Sequence, residues 1–226
     1  MLKNIAKNYI KSNPDKIAYL LKLHNRILGF NKIRISPNNK LKIGAVLMKN
    51  TTIMVKGINN TITIKNLSRL VNCSIYISGN NNHIVISRRV GLNKTDLHME
   101  DDNNKIFIGE NTSIFGDTQL AAMEGTSVRI GRDCMFSSDI QFRTGDSHSI
   151  IDSDGKRLNP SENIYIGNHV WVGTKVICLK GVHIADNCIV GAGSLLTKKF
   201  NEENVIVAGN PAKIVKHNIN WLVKRI

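Results

Sequence analysis

The sequence lacks any apolar run close to the roughly 20 residues that a membrane-spanning helix requires. Its basic N-terminus is not followed by the continuous apolar segment of a secretory signal, so we expect a cytoplasmic protein. Aromatic residues make up only 5% of the 226 residues, but hydrophobic residues make up 42%, which excludes global disorder. A chain of this length forms one domain with a sizeable core.

Cysteine is also scarce, and no two cysteines have the C-x-x-C spacing of a structural zinc site. The four cysteines lie far apart in the chain: Cys73, Cys134, Cys178 and Cys188. We therefore predict no bound metal, and we interpret these residues as small buried hydrophobic side chains.

Acidic residues are few, with 17 Asp and Glu against 31 Lys and Arg, which gives a net charge of +14. The excess lies at the two ends. Residues 1–42 contain ten Lys or Arg against one Asp, and residues 198–226 contain six against two Glu. Such ends attract a polyanion, a phosphate group or a membrane surface, although solvated lysines that only aid solubility have the same composition.

Short alternating strands, each preceded by a polar turn, recur along the first two thirds of the chain. Four of the turns contain Asn-Asn, and successive units end 21, 22, 22, 22 and 36 residues apart. The units end at Ile43, Ile64, Ile86, Ile108, Ile130 and Ile166.

After these units the spacing shortens to six residues. The aliphatic or small residues at this spacing are Ile166, Val172, Cys178, Ile184, Val190 and Leu196. A period of six fits neither an amphipathic helix nor a flat sheet, but it fits a coil of three flat faces in which one side chain per face points to the axis. We therefore predict a mainly β fold, a parallel β-helix of hexapeptide repeats.

The ends of the chain depart from the repeat. Ser12-Asn13-Pro14-Asp15 is typical of a helix start. We predict an N-terminal helical cap over 1–35, a β-helix over 36–200 and a C-terminal loop with a short basic helix over 201–226. The alternative use of the N-terminal helix is a basic amphipathic contact with a membrane.

The longest interruption of the repeat contains a loop at 149–163. His148 follows Asp146 by two residues at the point where a strand opens into this loop, whereas the other histidines lie in terminal segments, turns or regular coil positions. His148 is our candidate general base. Asp146 or a backbone carbonyl is the candidate for fixing its tautomer.

Three segments carry a family resemblance: 166–174 (IGNHVWVGT), 191–198 (GAGSLLTK) and 208–216 (AGNPAKIVK). They closely resemble the hexapeptide-repeat acyl-CoA transferases, most of all the galactoside and maltose acetyltransferases and the capsular-polysaccharide O-acetyltransferases, including those of polysialic acid. The resemblance is specific over 125–217 and only architectural before it. It implies a left-handed β-helix, acetyl-CoA as co-substrate, and a homotrimer with active sites between neighbouring coils.

The resemblance also implies roles for single residues. His148 matches the family's base, and Trp171 matches the tryptophan that shapes the acetyl and acceptor site, to which we also assign Arg143. Arg157 and Asn159 are candidates to reach the acceptor or the neighbouring subunit, with a solvated turn as the alternative. The coenzyme A groove would contain Thr174, Ala192, Thr197, Lys198, Pro211, Lys213 and Lys216.

Two departures from the family pattern bear on the substrates. Lys213 and Lys216 stand where galactoside acetyltransferases carry arginines, which keeps the charge near the nucleotide phosphates but removes bidentate recognition. The His-Pro pair of those enzymes is absent at His148, which places the acceptor outside the simple-sugar branch.

The expected function is therefore acetyl-CoA-dependent O-acetylation of an anionic bacterial surface polysaccharide, such as a sialic-acid-containing capsule, by direct attack and without an acyl-enzyme. Three alternatives stay open. They are N-acetylation of an amino sugar or nucleotide sugar, a zinc carbonic-anhydrase-like coil using His148, His169 and His183, and a non-catalytic polyanion-binding coil. We expect no nucleic-acid partner, and the basic termini leave peripheral association with the inner face of the membrane open.

Overall fold

The computed structural model describes residues 14–226, and side chains from Tyr19 onward. The predicted helix-capping residues Ser12 and Asn13 lie outside this range. The described residues form one helix, α1 (Pro14–Ile27), and 23 strands. The strands are β1 (Lys32–Ile35), β2 (Lys40–Ile43), β3 (Leu47–Lys49), β4 (Thr52–Lys56), β5 (Thr61–Ile64), β6 (Arg69–Val71), β7 (Ser74–Ser78), β8 (His83–Ile86), β9 (Gly91–Glu100), β10 (Lys105–Ile108), β11 (Ser113–Ala122), β12 (Ser127–Ile130), β13 (Met135–Phe136), β14 (Gln141–Arg143), β15 (Ile164–Ile166), β16 (Trp171–Val172), β17 (Ile177–Cys178), β18 (His183–Ile184), β19 (Ile189–Val190), β20 (Leu195–Leu196), β21 (Lys199–Phe200), β22 (Ile206–Gly209) and β23 (Ala212–Lys216).

The strands stack in parallel into three faces, and the chain visits each face once per coil. The first face contains β2, β5, β8, β10, β12, β15, β18 and β21. The second contains β3, β6, the starts of β9 and β11, β13, β16, β19 and β22. The third contains β1, β4, β7, the ends of β9 and β11, β14, β17 and β20. This arrangement is the predicted parallel β-helix.

The repeated isoleucines fill the interior of the coil. In the first face, Ile62, Ile84, Ile106 and Val128 lie in register on successive coils, and each is almost completely buried. Full burial of one such side chain stabilises the fold by about 1.5–3 kcal/mol. All four cysteines are also buried and free, as the sequence predicted. Burial raises the pKa of the Cys134 thiol to about 12, which keeps that thiol neutral.

The Asn-Asn turns divide two tasks between their two residues. The first asparagine adopts a left-handed backbone conformation, as Asn81 does with a φ of 57°. The second is buried and joins a ladder: the Asn60 side-chain oxygen accepts the Asn82 N–H, and the Asn82 oxygen accepts the Asn104 N–H, both at 2.8 Å. The ladder satisfies backbone groups at a corner that water does not reach.

The predicted C-terminal helix is wrong. β23 runs antiparallel to β22 and extends the second face, and the described residues after it form turns and bends. β22 is the last parallel strand of the second face, so its outer edge has unpaired backbone N–H and C=O groups. A following strand pairs with these groups, whereas a helix does not. Ile214 and Val215 in β23 are β-branched, which favours a strand.

Helix α1 joins the start of the coil through polar contacts. The Asn25 side chain donates to the Val46 carbonyl at 2.8 Å and accepts the Met48 N–H at 2.9 Å, which ties the helix to β3. Leu20 and Ile27 of this helix are 59% and 61% exposed. In the described part of the chain, no helix is long and apolar enough to cross a membrane.

Candidate active site

The insertion that carries His148 leaves the coil at the edge between the third and first faces. β14 ends at Arg143 and β15 begins at Ile164, and the intervening chain closes on itself through an antiparallel bridge between Ile151 and Arg157. His148 is exposed at the base of this loop. An accessible imidazole in this place can accept a proton from a bound hydroxyl group.

Asn159 holds the two sides of the loop together. It is 7% exposed, and its side-chain oxygen accepts the Ile150 N–H at 2.7 Å. Its amide nitrogen donates to the His148 carbonyl and to the Asp146 carboxylate, both at 2.8 Å. One buried amide therefore holds the backbone at His148 and Ile150 together with the Asp146 carboxylate.

Asp146 is held by Lys180, which comes from the next coil. The Lys180 ammonium donates to the Asp146 carboxylate and, at 3.2 Å, to the Asn159 carbonyl. The hydrogen bond from Lys180, followed by that from Asn159, lowers the pKa of Asp146 below its ordinary value of 3.8. No hydrogen bond joins Asp146 to the His148 ring among the described residues.

A second ion pair anchors the far side of the loop to the coil. Arg157 donates to the Glu124 carboxylate at 2.9 Å, and Ser161 donates to its other oxygen at 2.8 Å. The Arg157 hydrogen bond is the main cause of a lowered Glu124 pKa. Arg143, at the end of β14, donates to the Ser147 hydroxyl at 3.0 Å, one residue before His148.

Trp171 lies on a different face from His148. Its ring is 38% exposed on β16 of the second face, where the strand register places it between Met135 and Ile189. Its ring centre lies 6.1 Å from that of Trp221, which stacks on the His169 imidazole.

The residues assigned to coenzyme A divide between two edges and the C-terminal hairpin. Thr174 and Ala192 lie on successive coils at the edge between the second and third faces, where the Gly193 N–H donates to the Thr174 carbonyl at 2.8 Å. Thr197 and Lys198 lie at the edge between the third and first faces, as Lys180 does one coil earlier. Pro211, Lys213 and Lys216 belong to the β22–β23 hairpin.

Within one chain, one group of the predicted residues lies along a single edge of the coil, and a second group lies away from that edge. The edge between the third and first faces carries Arg143, Asp146, His148, Arg157, Asn159, Thr197 and Lys198. Trp171, Thr174 and Ala192 lie across the third face from this edge.

Sequence reasoning missed Lys180 and Glu124. Their partners in the insertion are 34 and 33 residues away in the chain, so no local pattern connects them. The six-residue step could have identified Lys180, because it places this residue at the same corner as the insertion, one coil later.

The histidines of the zinc alternative have other neighbours. His169 stacks on Trp221, and the His183 ring lies 2.6 Å from the Asn201 side-chain oxygen. No group of three His, Cys, Asp or Glu side chains that could hold a metal ion occurs within residues 14–226.

The chain is similar to proteins of known name over most of its length. It is 33% identical to the polysialic acid O-acetyltransferase of Neisseria meningitidis over 186 residues, which cover 81% of this chain and 86% of that protein. It is 38% identical to the polysialic acid O-acetyltransferase of Escherichia coli O1:K1 / APEC over 96 residues, 42% of this chain and 31% of that protein. The crystal structure of the polysialic acid O-acetyltransferase OatWY superposes with a TM-score of 0.76 and 34% identity, covering 87% of this chain and 89% of that one. No protein-family model matches the chain.

Proposed function

We propose a function for this chain on the basis of its family: it belongs to the hexapeptide-repeat acetyltransferases, whose left-handed β-helix it shares. It transfers the acetyl group of acetyl-CoA to a hydroxyl group of an anionic bacterial polysaccharide. The observation that carries this proposal is the exposed His148 on a loop whose backbone a buried amide fixes.

The reaction needs one proton acceptor. A sugar hydroxyl is too weakly acidic to attack a thioester unaided, so the neutral His148 imidazole removes its proton as the new C–O bond forms. The C–S bond then breaks, and the imidazolium returns the proton to the sulfur of coenzyme A. Such assistance contributes about 10²–10⁴ in rate.

Asp146 acts as a positioning residue in this mechanism. Its carboxylate is bonded to Lys180 and Asn159, and Asn159 in turn holds the His148 carbonyl. Asp146 therefore acts through Asn159, and a backbone carbonyl remains the candidate for fixing the imidazole tautomer.

The separation of the predicted residues supports a trimer with shared sites. His148 and the pair formed by Thr174 and Ala192 lie at different edges of one coil. A second copy that presents its edge between the second and third faces to His148 completes the site. Coenzyme A then lies between the two chains, with Lys213 and Lys216 near its phosphates.

The anionic acceptor is supported by the net charge of +14 and by the names of the similar proteins. An acceptor with one carboxylate per sugar is attracted to a cationic surface. The N. meningitidis relative acts on polysialic acid by name, and we extend that class of acceptor to this chain.

The test is release of free thiol from acetyl-CoA with a panel of acidic and neutral polysaccharides and amino sugars. We expect release with an acidic polysaccharide and a loss of about 10²–10⁴ in kcat for His148→Ala. His83→Ala is the matched control, because His83 is an exposed histidine of the repeat. Release with amino sugars alone would favour N-acetylation. The absence of release with every acceptor, together with no binding of coenzyme A, would overturn the proposal.

A further inference from the structure

A cationic groove lies along the edge between the first and second faces, away from both edges of the proposed active site. It has a volume of about 470 Å³ and runs over several successive coils. Its charged lining side chains, which define the edge groove, are Lys65, Arg88, Glu110, Arg129 and Arg132.

The charges of the edge groove are unbalanced. Glu110 is the single carboxylate of this lining, and it is bound by Arg88 at 2.8 Å and by Arg89 at 3.5 Å. In the described part of the chain, no carboxylate lies within salt-bridge distance of Lys65 or Arg129. These two cations are therefore available to an anionic ligand, and Arg132 has one carboxylate nearby, that of the exposed Asp133 at 3.9 Å.

An aromatic column runs beside the charges. Phe107, Arg129 and Tyr165 occupy equivalent outward positions on three successive coils of the first face. The Arg129 guanidinium lies 5.1 Å from the centre of the Phe107 ring, which orients it without neutralising it. Aromatic faces beside cations suit a ligand that has both apolar C–H surfaces and anionic groups, as an acidic sugar does.

The floor of the edge groove is bare backbone. Gly109 and Gly131 are stacked on neighbouring coils, and a Cβ atom at either position would lie 2.4 Å from backbone atoms of the coil beyond. Over these two coils the floor therefore holds no side chain that would block a chain lying along it. Adjacent coils are about 4.8 Å apart, so Lys65 and Tyr165, four coils apart, are separated by about 19 Å along the axis.

We propose that the edge groove binds a stretch of carboxylated polysaccharide and anchors the acceptor polymer apart from the place of acetyl transfer. The guanidinium groups of Arg129 and Arg132 pair with carboxylates, and Phe107 and Tyr165 pack against sugar rings. The identity of the polymer rests on the proposed function, but the binding itself does not. An anchored polymer keeps its hydroxyl groups at a high local concentration, so long acceptors gain more than short ones.

The experiment measures binding and kinetics of two double variants of the full chain. One carries Arg129→Ala with Arg132→Ala. The control carries Lys49→Ala with Arg69→Ala, which removes two exposed cations from neighbouring coils of the second face. The probes are labelled polysialic acid of graded length, neutral dextran and single-stranded DNA, all without acetyl-CoA.

We expect the groove variant to bind long polysialic acid about tenfold more weakly, which corresponds to a loss of about 1.4 kcal/mol of binding free energy. The control should bind like the wild type. The ratio of KM for long to KM for short acceptors should rise by a similar factor in the groove variant. Equal losses in both variants, unchanged binding in the groove variant, or equally tight groove-dependent binding of DNA would each overturn the proposal. Groove-dependent binding without any acetyl transfer would instead overturn the proposed function and leave the groove assigned.

Discussion

At the scale of single residues, the geometry of the site depends on Asn159 more than on any ion pair. Its side chain makes hydrogen bonds to Ile150, His148 and Asp146 from a nearly buried position. Removing it leaves the His148 carbonyl and the Ile150 N–H without their partner. A buried group that loses its partner costs about 1–3 kcal/mol.

We expect Asn159→Ala to lower kcat about tenfold or more, because the His148 imidazole is then less well positioned. A rise of about 1.4 kcal/mol in the activation free energy corresponds to a factor of ten in rate. KM for acetyl-CoA should stay near the wild-type value, since the loop carries no residue assigned to coenzyme A. Steady-state kinetics with both substrates varied separate the two parameters. Asn163→Ala is the control, because its side chain binds Ser127 at the other end of the insertion. A similar fall in kcat for both variants would contradict the positioning role.

The two carboxylates that hold the insertion predict its response to acid. The pKa values of Asp146 and Glu124 are lowered from 3.8 and 4.5 by hydrogen bonds from Lys180 and Arg157. Their contribution to stability is therefore present above the unfolded-state values and is lost as pH falls through the folded-state values, below about pH 4. We expect the protection factors of amides over 144–163, which are corrected for the intrinsic pH dependence of exchange, to fall below pH 4 before those of the coil do. In Asp146→Asn the loop should exchange faster already at neutral pH, and an unchanged rate would refute this account.

The residue scale also shows the limit of sequence reasoning. His148 and its insertion were found because they interrupt a regular repeat. Asp146 was one of two candidates for fixing the His148 tautomer, but the structure pairs it with Lys180, which becomes its neighbour only through the stacking of coils. In this fold, residues at the same corner of successive coils are neighbours, although they lie far apart in the chain.

At the scale of elements, the asparagine ladder explains why the turns repeat as Asn-Asn. Asn82 is completely buried, and its backbone N–H donates to the Asn60 side-chain oxygen of the preceding coil at 2.8 Å. Its side-chain amide donates to the Asp101 carbonyl at 2.9 Å. Asn81 is exposed and supplies only a left-handed turn conformation. The sequence pattern identified the turn but not this division of roles.

We expect Asn82→Ala to lower the free energy of unfolding by about 1–3 kcal/mol for each backbone group left without a partner, here chiefly the Asn104 N–H. Asn81→Gly should change it much less, because glycine adopts the left-handed conformation readily. Urea unfolding followed by circular dichroism compares the two variants. Equal destabilisation would show that the ladder contributes nothing specific.

The C-terminal hairpin shows how tertiary context overrides a local pattern. The basic residues and Trp221 after the Gly-Asn-Pro turn suggested a helix, but the free edge of β22 pairs with β23 instead. Trp221 then docks on the coil, where its indole N–H donates to the His169 carbonyl at 2.8 Å. The need to cover the open end of the coil is a property of the whole fold and is invisible in the segment itself.

At the scale of the whole molecule, the fold was predictable because one period governs nearly every residue of the coil. Ile166, Ile184 and Phe200 continue on the first face the column that the earlier isoleucines begin. The site was predictable only in part, because its residues occupy two edges of this coil. In the trimer that we propose, assembly of the chains joins them.

Mixed assemblies test whether the active site is shared between chains. We expect His148→Ala and Ala192→Trp each to be inactive alone, the first for lack of a base and the second because the indole fills the proposed coenzyme A groove. Co-expression of the two under different affinity tags, followed by purification through both tags, gives assemblies that contain both chains. If His148 of one chain works with Ala192 of another, some sites in these assemblies carry neither substitution, and thiol release returns. If each site lies within one chain, every site keeps a defect and no activity returns, which would refute the shared site. Light scattering on the same sample reports whether three chains assemble.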